Sequence, residues 1–166
     1  MESTERLCRV ITVSDRSAAG VREDRSGPIL AEGLSDAGWQ VAVQVVPDGR
    51  ESVQAALRQA LAEGAQLIVT TGGTGVGPRD QTPEGTNAVL DRELPGIPEA
   101  LRARGLQANL MAALSRGVAG VVDAAEGLPG ALVVNLPGSP DAAREGLEVL
   151  LPLAGHVLEQ LAGGDH

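Results

Sequence analysis

Short, nearly unbroken apolar runs alternate along this chain with longer stretches in which apolar residues recur every three or four positions. The first pattern is that of a strand buried on both faces, the second that of a helix with one buried stripe. Residues 7–13 (LCRVITV), 39–46 (WQVAVQVV), 65–71 (AQLIVTT) and 131–136 (ALVVNL) read as strands, and residues 118–125 as a weaker one. After the first strand, Ser26-Gly27-Pro28 predicts an N-cap and an early-turn proline for a helix ending near Gly38. Residues 51–63 place Val53, Ala56, Leu57, Ala60 and Leu61 on one helical face, with Gly64 as the stop signal. Thr82 as N-cap, Pro83 and Glu84 predict a further helix, and residues 93–105 (ELPGIPEALRARG) a loop and a short helix. The run from Pro137 to Asp141 repeats the cap-proline-acid signal ahead of a long apolar stripe. Pro152 interrupts that stripe, so a kink or two short helices are expected there.

Strands alternating with helices predict one α/β domain over residues 1–166, a mostly parallel sheet covered on both sides. In such a sheet ligands bind beyond the carboxyl ends of the strands. The unusual residues collect there: Ser14-Asp15-Arg16 after strand one, Asp48 after strand two, TTGGTGVGPRDQTPEG at 70–85 after strand three, and Pro137-Gly138-Ser139 after the late strand. Any one such loop is ordinary, since strand-to-helix connections are polar and glycine-rich. Four on one edge point to a site.

Composition narrows the chemistry. The net charge of −9 argues against nucleic-acid binding through phosphate neutralisation. All 13 basic residues are arginine, which excludes a lysine-bearing phosphate loop and a lysine Schiff base. Two histidines, His156 and His166, lie in or after the C-terminal helical stretch, away from the loops, which speaks against a catalytic triad or a zinc site. The single cysteine, Cys8, sits inside a strand and reads as a small buried hydrophobe. Residues 1–6 are polar and no apolar run approaches the length of a membrane span, so a cytoplasmic chain without a signal peptide is expected.

Glycines 72, 73, 75 and 77 allow backbone N–H groups to turn inward as an anion nest that needs no charged side chain. The dinucleotide fingerprint is not met, because Pro78 stands where its third glycine belongs. Asp48 and Asp80 beside such a nest would repel a phosphate unless a cation lay between them. Mg²⁺ is commonly held in this way, by one or two carboxylates together with substrate phosphates. Phosphoryl and nucleotidyl transfer run on positioning and electrostatics when the substrate brings its own nucleophile, which suits a chain poor in histidine, lysine and cysteine.

TVSDR at 12–16, Asp24 to Gly27 as D-x-S-G, TTGGTG…RDQTPE at 70–84, PGIPEALR at 95–102, LSR at 114–116 and NLPGSP at 135–140 resemble the Mog/MoaB family, collinearly from about residue 7 to 160. These are molybdopterin adenylyltransferases of molybdenum cofactor biosynthesis. The resemblance implies a three-layer α/β/α domain, commonly a trimer and in some members a hexamer, with ATP and molybdopterin as substrates and Mg²⁺ as cofactor. By position it implies that Asp48 and Asp80 are the essential carboxylates and metal ligands, and that Gly72, Gly73, Thr74 and Gly75 form the phosphate-binding loop. Ser115 and Arg116 match a substrate-side motif, Pro137, Gly138 and Ser139 a second ligand loop, and Ser14 and Asp15 a first loop with a binding role. The molybdate-insertion protein is an implied partner; nucleic acid and membrane are not. Ile97 and Pro98 depart from the family's usual residues in their loop. The alternative is a non-catalytic paralogue that holds or passes on molybdopterin; the presence of both Asp48 and Asp80 favours the enzyme.

Overall fold

The computed structural model describes residues 5–164. Six strands, β1 (Leu7–Val13), β2 (Gln40–Val46), β3 (Leu67–Thr71), β4 (Arg92–Glu93), β5 (Ala119–Val122) and β6 (Ala131–Leu136), form one sheet in the order β2-β1-β3-β6-β5-β4. β2, β1, β3 and β6 are parallel, as their apolar runs predict. The weak segment at 118–125 becomes β5, which pairs antiparallel with β6, and β4 extends that edge antiparallel to β5.

Successive side chains of the inner strands enter opposite cores. Val10, Val69, Leu132 and Val134 join Leu30, Leu34, Leu150 and Ala154 on one face. Ile11, Ile68 and Val133 join Val53, Leu57 and Ala60 on the other. The first core is covered by α2 (Ser26–Asp36), α5 (Gly96–Leu106) and α6 (Pro140–Leu161), the second by α3 (Arg50–Ala62) and α4 (Thr82–Asn87). This is the three-layer α/β/α domain expected of the chain. Val43 and Val45 of the edge strand β2 remain 45% and 39% exposed, although α1, α2 and α3 all touch that strand.

Two helix starts and one helix interior differ from the sequence expectation. The N-cap of α2 is Arg25, and Asp24 accepts from the Gly27 N–H in the cap's place, while Ser26 is buried inside the first turn. The N-cap of α4 is Gln81, because the Thr82 hydroxyl is drawn inward to donate to the Gly72 carbonyl. α6 runs as a single helix of 22 residues straight through Pro152. Proline forfeits one backbone hydrogen bond, and the buried Leu150 and Ala154 anchor the helix to the sheet on both sides of it.

A short helix α1 (Asp15–Ala18) and a 3₁₀ turn over Leu110–Leu114, neither evident in the periodicity, complete the chain. Cys8 is buried as expected, and burial pushes its thiol up to about 12. His156 stands on α6 beside Gln160, and His166 lies outside the described residues. No helix among the described residues is long and apolar enough to cross a membrane.

Because Pro152 is exposed and removes a hydrogen bond from a continuous helix, Pro152→Ala is expected to stabilise the domain by about 1–3 kcal/mol. Urea unfolding measures this; a lower midpoint in the variant would show that the proline is needed for the path of α6.

Candidate active site

From β1 the chain crosses one face through α2 to reach β2, and from β2 it crosses the other face through α3 to reach β3. The connections therefore part between β1 and β3, opening a crevice at their carboxyl ends. Gly72 sits in that gap. Its φ is +105°, and a Cβ there would collide with the Val13 carbonyl. The Gly138 loop closes on the same point, since a Cβ on Gly138 would come within 3.3 Å of the Gly72 Cα.

Hydrogen bonds divide the glycine loop into parts with different duties. The Gly72 N–H donates to the Leu136 carbonyl at 3.0 Å, and the Gly77 N–H to Asp80 Oδ2 at 2.9 Å. Two of the four expected nest donors are thus engaged. The N–H groups of Gly73, Thr74 and Gly75 have no acceptor among the described residues, so the cradle narrows to these three. Gly75 and Gly77 serve a second need: a Cβ on either would stand about 3.0 and 2.9 Å from Asp80 Oδ2, so only glycine lets that carboxylate fold over the loop.

Arg116 holds the loop from behind. Its Nε donates to the Gly75 carbonyl at 2.8 Å, its Nη2 to the Asp80 carbonyl at 2.7 Å, and its Nη1 to Glu84 at 2.6 Å. Its backbone N–H adds a bond to the Thr74 carbonyl. Arg116 thus takes up the loop's carbonyls, while the Gly73, Thr74 and Gly75 N–H groups keep no acceptor among the described residues. Ser115 Oγ accepts from the Gly117 N–H, and Ser139 caps α6 by accepting from the Ala142 N–H. The Pro137 carbonyl accepts from Thr71 Oγ1.

Asp15 and Asp48 form a reciprocal pair. The Asp15 N–H donates to Asp48 Oδ2 at 2.9 Å, and the Asp48 N–H to Asp15 Oδ1 at 3.1 Å. Arg79 clamps them, donating from Nε and Nη2 to the Asp15 carboxylate and from Nη2 to the Asp48 carbonyl. The Arg79 hydrogen bonds hold the Asp15 carboxyl below the usual carboxylate range. Burial, and then the charges of Asp15 and Asp80, push Asp48 above it. Ionised Asp15 therefore favours the fold at neutral pH and loses that contribution as pH falls through its lowered value. Asp48 acts in the opposite sense, contributing when neutral and losing that as pH rises through its raised value. In the sequence Arg79 stands only inside the RDQTPE motif; its distant partners leave no local signal there.

A cleft of about 630 Å³ opens against the loop. Gly72 to Gly75, Asp80, Ser115 and the 137–139 loop all line it, so most of the expected site residues converge. Arg102, Asn135 and Glu145 line it too, without having been singled out. Asn135 is buried and spans three elements, donating to Thr70 and Thr86 and accepting from the Val118 N–H. Ser14 lies instead against a smaller cavity of about 160 Å³ beyond Gly138, and caps α1. Asp48 borders the loop from the far side: a Cβ on Gly73 would come within 3.1 Å of its Oδ1. Among the described residues no three His, Cys, Asp or Glu side chains gather as a metal cage. A cation here would depend on the Asp48 and Asp80 carboxylates completed by ligand oxygens.

The chain is similar to known proteins along most of its length. A family model described as "Probable molybdopterin binding domain" matches residues 9–156. A molybdopterin adenylyltransferase of Pyrococcus furiosus is 40% identical over 151 residues, covering 90% of this chain and 88% of that protein. A molybdenum cofactor biosynthesis bifunctional protein of Synechococcus elongatus is 44% identical over 158 residues, 95% of this chain; the chain spans about half of that relative, 48% of its length. The structure of the molybdopterin biosynthesis Mog protein from Mycobacterium ulcerans superimposes with a TM-score of 0.86 at 44% identity, covering 97% of this chain and 99% of that one.

In Arg79→Gln the Asp15 and Asp48 carboxyls are both expected to titrate at higher pH than in the unaltered protein, because a cation that lowers both is gone. Carbon-detected NMR titration reads this directly. An unmoved Asp15 would mean that the clamp is absent in solution.

Proposed function

The chain belongs to the molybdopterin-binding domain family, and on that premise we propose that it is a molybdopterin adenylyltransferase. In this reading an oxygen of the terminal phosphate of molybdopterin attacks the α-phosphorus of ATP. The bond from that phosphorus to the bridging oxygen breaks, pyrophosphate leaves, and adenylylated molybdopterin remains.

One observation carries the proposal. Gly73, Thr74 and Gly75, whose backbone N–H groups have no acceptor among the described residues, line a cleft together with Asp80, and neither histidine nor cysteine lines it. Such a site binds phosphate oxygens and positions them, and leaves the nucleophile to the substrate. Relatives named for this activity support the same reading.

The residues divide the task. The loop's N–H groups bind phosphate oxygens, Arg116 keeps the loop in that conformation, and the N-terminus of α6 beyond Ser139 adds partial positive charge at the cleft. Asp48 and Asp80 are the Mg²⁺ ligands in this proposal. Burial, and after it the charges of Asp15 and Asp80, raise the Asp48 value, and a cation held beside these carboxylates would offset the charge part of that cost. Bound there with phosphate oxygens, Mg²⁺ supplies charge neutralisation at the reacting phosphorus. Family membership also supports a homo-oligomer, a trimer in this reading, in the cytoplasm, handing its product to a molybdate-insertion protein.

Asp80→Asn keeps an amide oxygen able to accept from the Gly77 N–H, so the loop holds its shape while the charge is lost. It is expected to lower kcat by about 10³-fold or more, with molybdopterin binding largely intact. Pyrophosphate release and molybdopterin binding, measured on both proteins, provide the check. Tight molybdopterin binding by the unaltered protein without pyrophosphate release would replace the enzyme with a carrier.

A further inference from the structure

Three carboxylates line the cleft, at Asp80, Asp141 and Glu145. Asp80 accepts from the Gly77 N–H, and Asp141 is 87% exposed and paired with Arg144. Glu145 differs from both. Its side chain is only 20% exposed, and its carboxylate accepts no hydrogen bond among the described residues. The cation closest to it, Arg104, stands 3.9 Å away and spends its Nε and Nη2 on Glu148, at 2.6 and 3.3 Å. Its oxygens stay open to the cleft's solvent, so a ligand entering the cleft meets an acceptor pair that no protein donor occupies.

We propose that Glu145 reads the amino-pyrimidinone edge of the pterin, an inference that rests on the molybdopterin reading above. That edge offers a ring N–H and an exocyclic amino group side by side. A carboxylate accepts two parallel N–H···O bonds from such a pair, the strong and geometrically selective arrangement. Placement agrees. Glu145 lies six residues after the Ser139 cap on the same helix, so it stands about 9 Å along α6 from the phosphate end of the cleft. Pro98, Leu101, Ala112 and Leu114 supply apolar lining between, suited to the faces of a flat ring system. The phosphate end is read by backbone donors and the ring end by an acceptor, so the cleft fixes which way round the substrate lies.

The test is a substrate-binding comparison on the full chain carrying Glu145→Gln, Glu145→Ala or Arg104→Gln. Both Glu145 variants are expected to weaken molybdopterin binding and raise its KM by about tenfold or more, with KM for ATP unchanged. Arg104→Gln removes the ion pair but leaves the acceptor, and is expected to bind molybdopterin as the unaltered protein does. Competition with free pterin and with lumazine, which has an oxo group in place of the 2-amino group, supplies a readout that folding cannot mimic. Pterin should compete better than lumazine in the unaltered protein, and that preference should vanish in Glu145→Gln. Equal competition by both in the unaltered protein, or unchanged molybdopterin affinity in Glu145→Gln, overturns the inference while leaving the adenylyltransferase reading intact. Failure of the unaltered protein to bind molybdopterin overturns that reading, and the inference with it.

Discussion

The crowding around Gly72 is the constraint on which the site depends. Its backbone lies against the Val13 carbonyl of β1, its N–H is taken by Leu136 at the end of β6, and its own carbonyl accepts from Thr82 at the start of α4. One residue therefore ties two neighbouring strands and a helix to the third at the point where the chain connections part. Any side chain here would push β3 away from β1 and break these bonds together. The cost is a residue held at a left-handed φ, which only glycine tolerates without strain.

That knot imposes a division of labour among charges. The chain is acidic overall, with a net charge of −9, so a phosphate ligand cannot be drawn in by the global field. Attraction must be local. Arg116 and Arg79, the arginines nearest the loop, bind protein carbonyls and carboxylates. Their effect on a ligand is indirect. Arg116 fixes the loop through the Thr74, Gly75 and Asp80 carbonyls, and Arg79 holds Asp15 against Asp48. That leaves Asp48 strained between burial and two like charges, a state that a cation would relieve.

Much of the fold was legible because its signals are local. The runs 7–13 and 131–136 become strands with those same bounds, and Ser139 caps α6 as its sequence context suggests. Misreadings arose where a distant partner overruled a local preference. Thr82 looked like a cap until the Gly72 carbonyl claimed its hydroxyl. Pro152 looked like a break until burial of Leu150 and Ala154 held the helix together. The nest of four glycines shrank because Asp80 and Leu136 took two of the donors.

The sequence by itself determined the parallel part of the sheet, the order of its main strands and helices and the edge at which the polar loops gather, because apolar period and turn chemistry are properties of neighbouring residues. Only the tertiary structure decided which of those polar groups remain available to a ligand. A hydrogen bond between residues 31 or 64 positions apart, such as those of Arg79 to Asp48 and Asp15, leaves no trace in local pattern. Glu145 marks the same limit from the other side. On the sequence it is one more charge on a helix; in the folded chain it is a shielded carboxylate in the cleft without a donor.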